Sequence, residues 1–280
     1  MGPLLVDFHR HLPLAPNPAV AAERLRLFFH EFGVSVAVVH PSFLAGDFND
    51  LDAYLDRVDE VVRQDPEFLK PRLFTFGGLD LSRPPDRLVE LAEGRGLAGF
   101  KLHPLQGFPV SRDALEPYFR TVARLGLPVY VHTDWVPSTE FKAKRTTLEG
   151  TLGKLVDLAP DVMFVAGHAG NSDSYLSFHR VLKGRPNLLV ETSMAPVPSE
   201  LEVVVKRWGS DRLLWGSNAP YCSVLGELER VRVTRLSVPE KERAFAGNAA
   251  ELLGISEERL YRLRAELAES GGSGRGGGVR

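Results

Sequence analysis

The chain has 280 residues, 44% of them apolar, with 34 Lys plus Arg against 36 Asp plus Glu and a single Cys. That length buries a sizeable core in one domain or two, and the near-neutral charge offers no basic face for nucleic acid or an anionic membrane. One Cys excludes an internal disulfide and a Cys-rich zinc site and fits a cytoplasmic protein; no apolar run reaches the roughly 18 residues of a membrane span, and MGPLLVDFHRHL lacks the marks of a secretory leader.

In chain order, β-branched runs alternate with amphipathic stretches. Leu4–His11 is an apolar run that ends in His-Arg-His. Ala19–Phe32 then sets Val20, Leu25, Leu27, Phe28 and Phe32 near one helical stripe. Ser35–Pro41 is apolar on both faces at Val36–Val39, as strands of a parallel sheet are. Asp50–Gln64 spaces Leu51, Tyr54, Leu55, Val58, Val61 and Val62 by threes and fours, a helix. Further strands are expected at Pro71–Gly77, Ala98–Pro104, Pro128–Asp134, Asp161–Gly170, Asn187–Ser193 and Asp211–Ser217. Among the intervening helices, Ser111–Leu125 stops at Gly126, and Ser199 caps a run Glu200–Trp208 that stops at Gly209. Glu257–Glu269 reads as a final surface helix. Gly271–Arg280 is mostly Gly, too polar to order, and is expected to be a disordered tail.

Eight strand signals roughly thirty residues apart predict a (β/α)8 TIM barrel of the α/β class, one domain over residues 1–270 with the tail at 271–280. An open doubly wound sheet usually carries a Gly-rich phosphate turn after its first strand, and this chain has none there.

The chain has eight His. His30 and His179 fall inside helical stretches; His9, His11, His40, His103, His132 and His168 fall at or near strand ends. Strict alternation places Asp7, His9 and His11 on one face and turns Arg10 toward the helix layer. His132 ends the fifth strand and His168 the sixth. The C-terminal strand ends of a barrel form one rim, where catalytic groups gather. Four imidazoles from strands one, five and six therefore point into one mouth and suit a divalent metal ion. For His-x-His alone, a pair of satisfied strand histidines is the alternative. Lys101 and His103 share a face at the end of the fourth strand and are candidate substrate-binding residues. For Lys101 the alternative is an internal ion pair with Asp7 or Glu191; for His103 it is support of the loop that Pro104 begins. His40 is a further candidate for lining the pocket. The loop Trp135–Arg145 carries Glu140, Lys142, Lys144 and Arg145 and reads as a basic lid suited to an anionic substrate, or as a solvated loop.

In order along the chain stand VDFHRHL at 6–12, GFKLHPLQGF at 99–108, PVYVHT at 128–133, VAGHAG at 165–170, ETS at 191–193, LLWGSNAPY at 213–221 and GNAAELLGI at 247–255. Together they resemble the amidohydrolase superfamily, in its amidohydrolase-related branch. The resemblance implies a distorted barrel and one divalent metal ion, zinc, on His9, His11 and His132, with His168 beside the attacking water. The resulting expectation is a hydrolase that activates water with that metal against an amide, lactone or ester bond of a small substrate, anionic if the basic loop covers it.

The resemblance also implies an eighth-strand Asp that touches the metal and takes the proton. Here the segment is Gly216-Ser217-Asn218-Ala219-Pro220. Asn218 can coordinate through its amide oxygen or hold a water, but it cannot accept a proton as a carboxylate does. His168 and Asp134, which shares a strand face with His132, lead the candidates for that work, followed by Asp173 and Glu191. Three alternatives stand beside hydrolysis: a non-oxidative decarboxylase or a metal-free lactonase of the same branch, and a catalytically inactive ligand-binding barrel. The expected partner is a small-molecule substrate; barrels also often form homo-oligomers.

Overall fold

The computed structural model describes residues 3–103, 106, 111–133, 152–170, 181–195 and 197–272. Parallel strands follow one another in sequence order around one eight-stranded sheet: β1 (Val6–Arg10), β2 (Val36–Val39), β3 (Leu73–Gly78), β4 (Gly99–Leu102), β5 (Val129–Val131), β6 (Phe164–Ala166), β7 (Leu188–Glu191) and β8 (Leu213–Leu214). Backbone bonds from Phe8 N to Trp215 O (2.9 Å), Asn218 N to His9 O (2.7 Å) and His11 N to Ala219 O (2.8 Å) join β8 to β1 and close the barrel. Each strand lies within or overlaps its expected run, and the (β/α)8 barrel is the fold.

Helices α1 (Pro18–Phe32), α2 (Leu51–Gln64), α3 (Asp86–Arg95), α4 (Arg112–Leu125), α5 (Gly153–Leu158), α6 (Pro198–Trp208) and α7 (Val224–Arg232) pack outside the strands. Asn17, Asp50 and Ser111 cap α1, α2 and α4 by accepting the amides of Val20, Ala53 and Ala114. One boundary differs from expectation. Ser199 is not the cap of α6, which begins at Pro198; proline fits there because the first helical N–H has no partner to lose.

Alternation along the strands sorts the core into two layers. Ala37, Val39, Phe100, Leu102, Val129, Val131, Phe164, Ala166, Leu188, Val190, Leu213 and Trp215 pack outward under the helices. Val6, Phe8, Val36, Val38, Phe76, Tyr130, Val165, Leu189 and Leu214 fill the barrel, with Ala246, Ala249, Ala250, Ile255, Leu260 and Leu263 continuing this cluster. Above the apolar interior the inward side chains turn polar.

The strand β1 departs from strict alternation. Asp7 pairs with Ala37 but Arg10 pairs with Val39, so β1 spends three steps where β2 spends two. This bulge leaves Asp7 and Arg10 on the outer layer and turns His9 and His11 inward. The expectation that Asp7 shares a face with His9 is therefore wrong. Asp7 instead accepts Ser217 N (2.8 Å) and Ser217 Oγ (2.6 Å), while Arg10 lies 3.8 Å over the Phe28 ring, as its outward direction predicted.

After the barrel, α8 (Glu257–Gly272) starts where the final helix was expected and extends to Gly272, taking in two residues assigned to the tail; residues 273–280 lie outside the described residues. Buried Arg72 holds it through Glu266 (2.6 Å) and Leu263 O (3.1 Å). Among the described residues no helix is long and apolar enough to cross a membrane.

Glu200 on α6 is buried, and its Oε1 has no hydrogen-bond partner. Burial pushes its carboxyl up to about 7. The folded state therefore favours the protonated form. The contribution of this group is fully present below the unfolded value of about 4.5 and is lost as pH rises to about 7. Glu200→Gln should raise Tm by a few degrees above neutral pH and by much less near pH 5, as read by thermal unfolding at both.

Candidate active site

The polar layer at the C-terminal end of the barrel begins with His9, which is fully buried. Its Nδ1 lies 2.9 Å from Tyr130 Oη and 3.2 Å from Glu191 Oε2, and its Nε2 lies 3.3 Å from Lys101 Nζ. His11 donates Nδ1–H to His40 O at 2.9 Å, which leaves its Nε2 as the acceptor nitrogen. His40 itself donates Nε2–H to Phe8 O (2.9 Å) and sits in the floor beside Phe76 and Tyr130.

His168 reaches the centre by a local backbone device. Alternation along β6 would turn its side chain outward, since Val165 faces in and Ala166 out. His168 and Ala169 instead take left-handed conformations, φ +63° and +46°, and the ring swings inward. Gly167 is required just before: a Cβ there would land on the Tyr130 hydroxyl. Met194 (φ +60°) and Asn218 (φ +50°) adopt the same uncommon conformation after β7 and β8. The described non-glycine residues with positive φ are thus confined to one rim, where such strain is retained when the surrounding structure holds a site.

The expected imidazoles come together. Ring centroids of His9 lie 5.1 Å from His11 and 5.0 Å from His168, and those of His132 and His168 lie 4.7 Å apart. His168 Nε2 and His132 Nδ1 are 3.2 Å apart, and His132 Nε2 is buried without a hydrogen-bond partner. Burial holds His9, His11 and His132 well below the ordinary imidazole value and His168 at about 3, so all four rings are neutral near pH 7. Neutral imidazoles gathered around a bare ring nitrogen are a donor set that suits a divalent metal ion.

A second grouping also emerges. Among the described residues, His9, His168 and Glu191 have ligand atoms that all lie within 4.8 Å of one another, whereas the expected set of His9, His11 and His132 does not draw together as closely as that. Glu191 Oε2 is, however, already taken up by Tyr130 Oη (3.0 Å), Ser193 Oγ (2.9 Å) and His168 N (3.2 Å) as well as His9, while Oε1 takes Ser193 N. A carboxylate with its lone pairs so committed supports ligands better than it acts as one.

Lys101 and His103 both face this space. Lys101 is 2% exposed and makes no bond to Asp7, which is on the other layer. Burial lowers its ammonium to about 7, against the pull of Glu191 and Asp47. The His103 ring stacks on His132, centroids 4.2 Å apart, and on Phe43 at 4.9 Å. Asn218 stands beside His9 through its backbone bond, with Nδ2 against Met194 Sδ (3.3 Å) and Cys222 Sγ (3.5 Å). Asp134, Asp173, His179 and the loop Trp135–Arg145 lie outside the described residues. Tyr130 and Ser193 were not singled out by sequence. Their signal was parity: each stands two residues from a site residue on the same inward face, His132 and Glu191.

A comparison with family models matches residues 6–255 to the amidohydrolase family. The chain belongs to this family. A comparison with curated proteins returned no match. Among solved structures, the amidohydrolase barrel is similar to a dihydroxybenzoic acid decarboxylase of Polaromonas sp. JS666 with bound manganese and 2-nitroresorcinol (TM-score 0.68, 17% identity, 93% of this chain and 100% of that one). It is similar to 2,6-dihydroxybenzoate decarboxylase from Rhizobium (0.67, 16%, 90% and 99%). It also resembles a probable 2-pyrone-4,6-dicarboxylic acid hydrolase of Acinetobacter baumannii with citric acid bound (0.65, 16%, 90% and 99%). At these identities the likeness is one of fold, and one barrel of this kind serves both decarboxylation and hydrolysis.

Proposed function

We propose that this amidohydrolase is a metal-dependent hydrolase acting on an amide, lactone or ester bond of a small anionic substrate. The observation that carries the reading is the buried, unpartnered Nε2 of His132 among neutral imidazoles from three strands. A ring nitrogen kept dry with no donor to satisfy it is costly unless a cation meets it. His9, His11 and His132 would hold the ion, with the Asn218 amide oxygen as an additional neutral donor. Imidazole ligands favour zinc, with manganese as the competitor because a neighbour binds it. Such an ion, when bound, polarises a carbonyl and acidifies water.

The chain's own groups supply the remainder. His168, with both ring nitrogens engaged by Ser193 and His132 and its basicity lowered by burial, positions the His132 ring beside the attacking water rather than taking the proton, and Asp134 is the proton carrier of this reading. Lys101 meets an anionic group of the substrate, and His103, stacked on His132, forms a flat wall beside it. Asn218 holds a water but carries no proton. The chain works as one barrel domain over residues 1–270, and its single Cys agrees with a cytoplasmic setting.

Non-oxidative decarboxylation is the second reading, because Asn218 brings no carboxylate to deprotonate water, a step decarboxylation does not need. Elemental analysis followed by chelation and metal rescue on a panel of lactones, amides and aromatic acids in oxygen-18 water separates the two. The expected result is loss of turnover on chelation, restoration by zinc and labelled oxygen in the product. Carbon dioxide release without label would replace hydrolysis by decarboxylation, and full activity after removal of all metal would overturn both.

A further inference from the structure

Glu191 ends β7 beneath the imidazoles and collects donors from four directions. We propose that Glu191, with Ser193 as relay, is the positioning residue that fixes which ring nitrogen carries the proton in His9, His168 and His132, and so sets which nitrogen of each ring is the acceptor. The assignment builds on the metal-site reading above, since its consequence is a set of lone pairs ready for a cation.

Proton bookkeeping follows from the contacts. The hydroxyl hydrogens of Tyr130 and Ser193 both go to Glu191 Oε2. Tyr130 Oη can then only accept from His9 Nδ1 at 2.9 Å, so the His9 proton sits on Nδ1, shared with Glu191, and Nε2 is the unprotonated nitrogen, which accepts from Lys101 Nζ at 3.3 Å. Ser193 Oγ can likewise only accept from His168 Nδ1 at 3.0 Å, which leaves His168 Nε2 as an acceptor. That acceptor lies 3.2 Å from His132 Nδ1, which must donate to it. The last nitrogen in the chain, His132 Nε2, is bare; it is buried without a partner, as is His40 Nδ1 in the floor of the site. One carboxylate thus orders His9 directly, His168 through Ser193, and His132 through His168. His11 stands apart, ordered by the His40 carbonyl.

The close approaches around Glu191 fit a rigid hub. A Cβ at Gly216 would fall 2.5 Å from Glu191 Oε1 and 2.8 Å from His9 Cβ, so β8 can pass only as glycine. Groups that orient metal-binding histidines through the second ring nitrogen commonly change metal affinity by about 10- to 100-fold when removed.

The test is nitrogen-15 imidazole NMR of the metal-free protein above neutral pH, on wild type, Ser193→Ala and Glu191→Gln. In wild type, His9, His11, His132 and His168 should all carry the proton on Nδ1. Ser193→Ala should release His168 and His132 to mixed tautomers while His9 and His11 keep theirs. Glu191→Gln should disturb His9 as well. Should Glu191→Gln fail to fold, Ser193→Ala alone decides, because only a relay makes a change at Ser193 reach His132. Manganese or zinc titration should show about a 10-fold weaker affinity for Ser193→Ala. Unchanged tautomers in Ser193→Ala, or Nε2–H in wild-type His168 or His132, would overturn the proposal. Tautomers that respond while affinity does not would keep the hub and count against the metal site instead.

Discussion

His132→Ala lowers turnover by about a thousand-fold or more and metal affinity by at least about a hundred-fold, while Tm stays level or rises. The expected sizes follow from three losses at one position. The bare Nε2 disappears as a ligand, the Nδ1–H that His168 Nε2 accepts is gone, and the ring that stacks on His103 is removed. Stability does not suffer in proportion, because deleting the buried, unsatisfied Nε2 offsets the donor taken from His168 Nε2 and the stacking lost against His103. A protein that gains or holds stability while losing function shows a residue kept for chemistry rather than packing. Calorimetry, metal titration and initial rates on one preparation check all three. A collapse in Tm with metal affinity unchanged would return His132 to the core.

Asn218→Asp is the second change with a large effect, and it acts in the opposite direction. The resemblance of the segments around it implies an Asp at this place, and Asn218 is joined to His9 by a backbone bond of 2.7 Å. A carboxylate there adds a negative donor to a set of neutral imidazoles and a base able to accept the proton that Asn cannot. The expected outcome is metal binding tighter by about 10- to 100-fold and faster hydrolysis. Neutral Asn218 is held with its amide nitrogen on Met194 and Cys222, so Asn218→Asp must also turn that group away from two sulfurs. Unchanged affinity in the variant would place position 218 away from the ion. Tighter binding without faster hydrolysis would favour decarboxylation as the native reaction, since a base for water would then have no use.

The sequence carried the barrel because each strand is a short apolar run at nearly constant spacing, and every one of the eight was legible that way. It carried the contacts of His9 with His11 and His168, and of His168 with His132, because strand ends share a rim. Less legible were features that depend on a single backbone step. The bulge in β1 adds one residue without any mark in Val-Asp-Phe-His-Arg, so Asp7 was placed inside when it lies outside with Ser217. The left-handed turn at His168 is just as silent, although Gly167 before it hints at a tight approach. Sequence reading found His168 as the end of a strand, not as the result of that turn. Glu191 was weighed as a base; its geometry shows a carboxylate saturated with donors and out of reach of the mouth's chemistry except through His9 and His168. Such saturation depends on Tyr130 and Ser193 arriving from two strands, which no local pattern announces.

The most direct measurement is anomalous scattering from crystals grown with a divalent metal, zinc or manganese. The site described here predicts a peak about 2.0–2.2 Å from the ε-nitrogens of His9, His11 and His132. A peak held instead by Glu191 and His168, or none at all with the imidazoles in place, would contradict it.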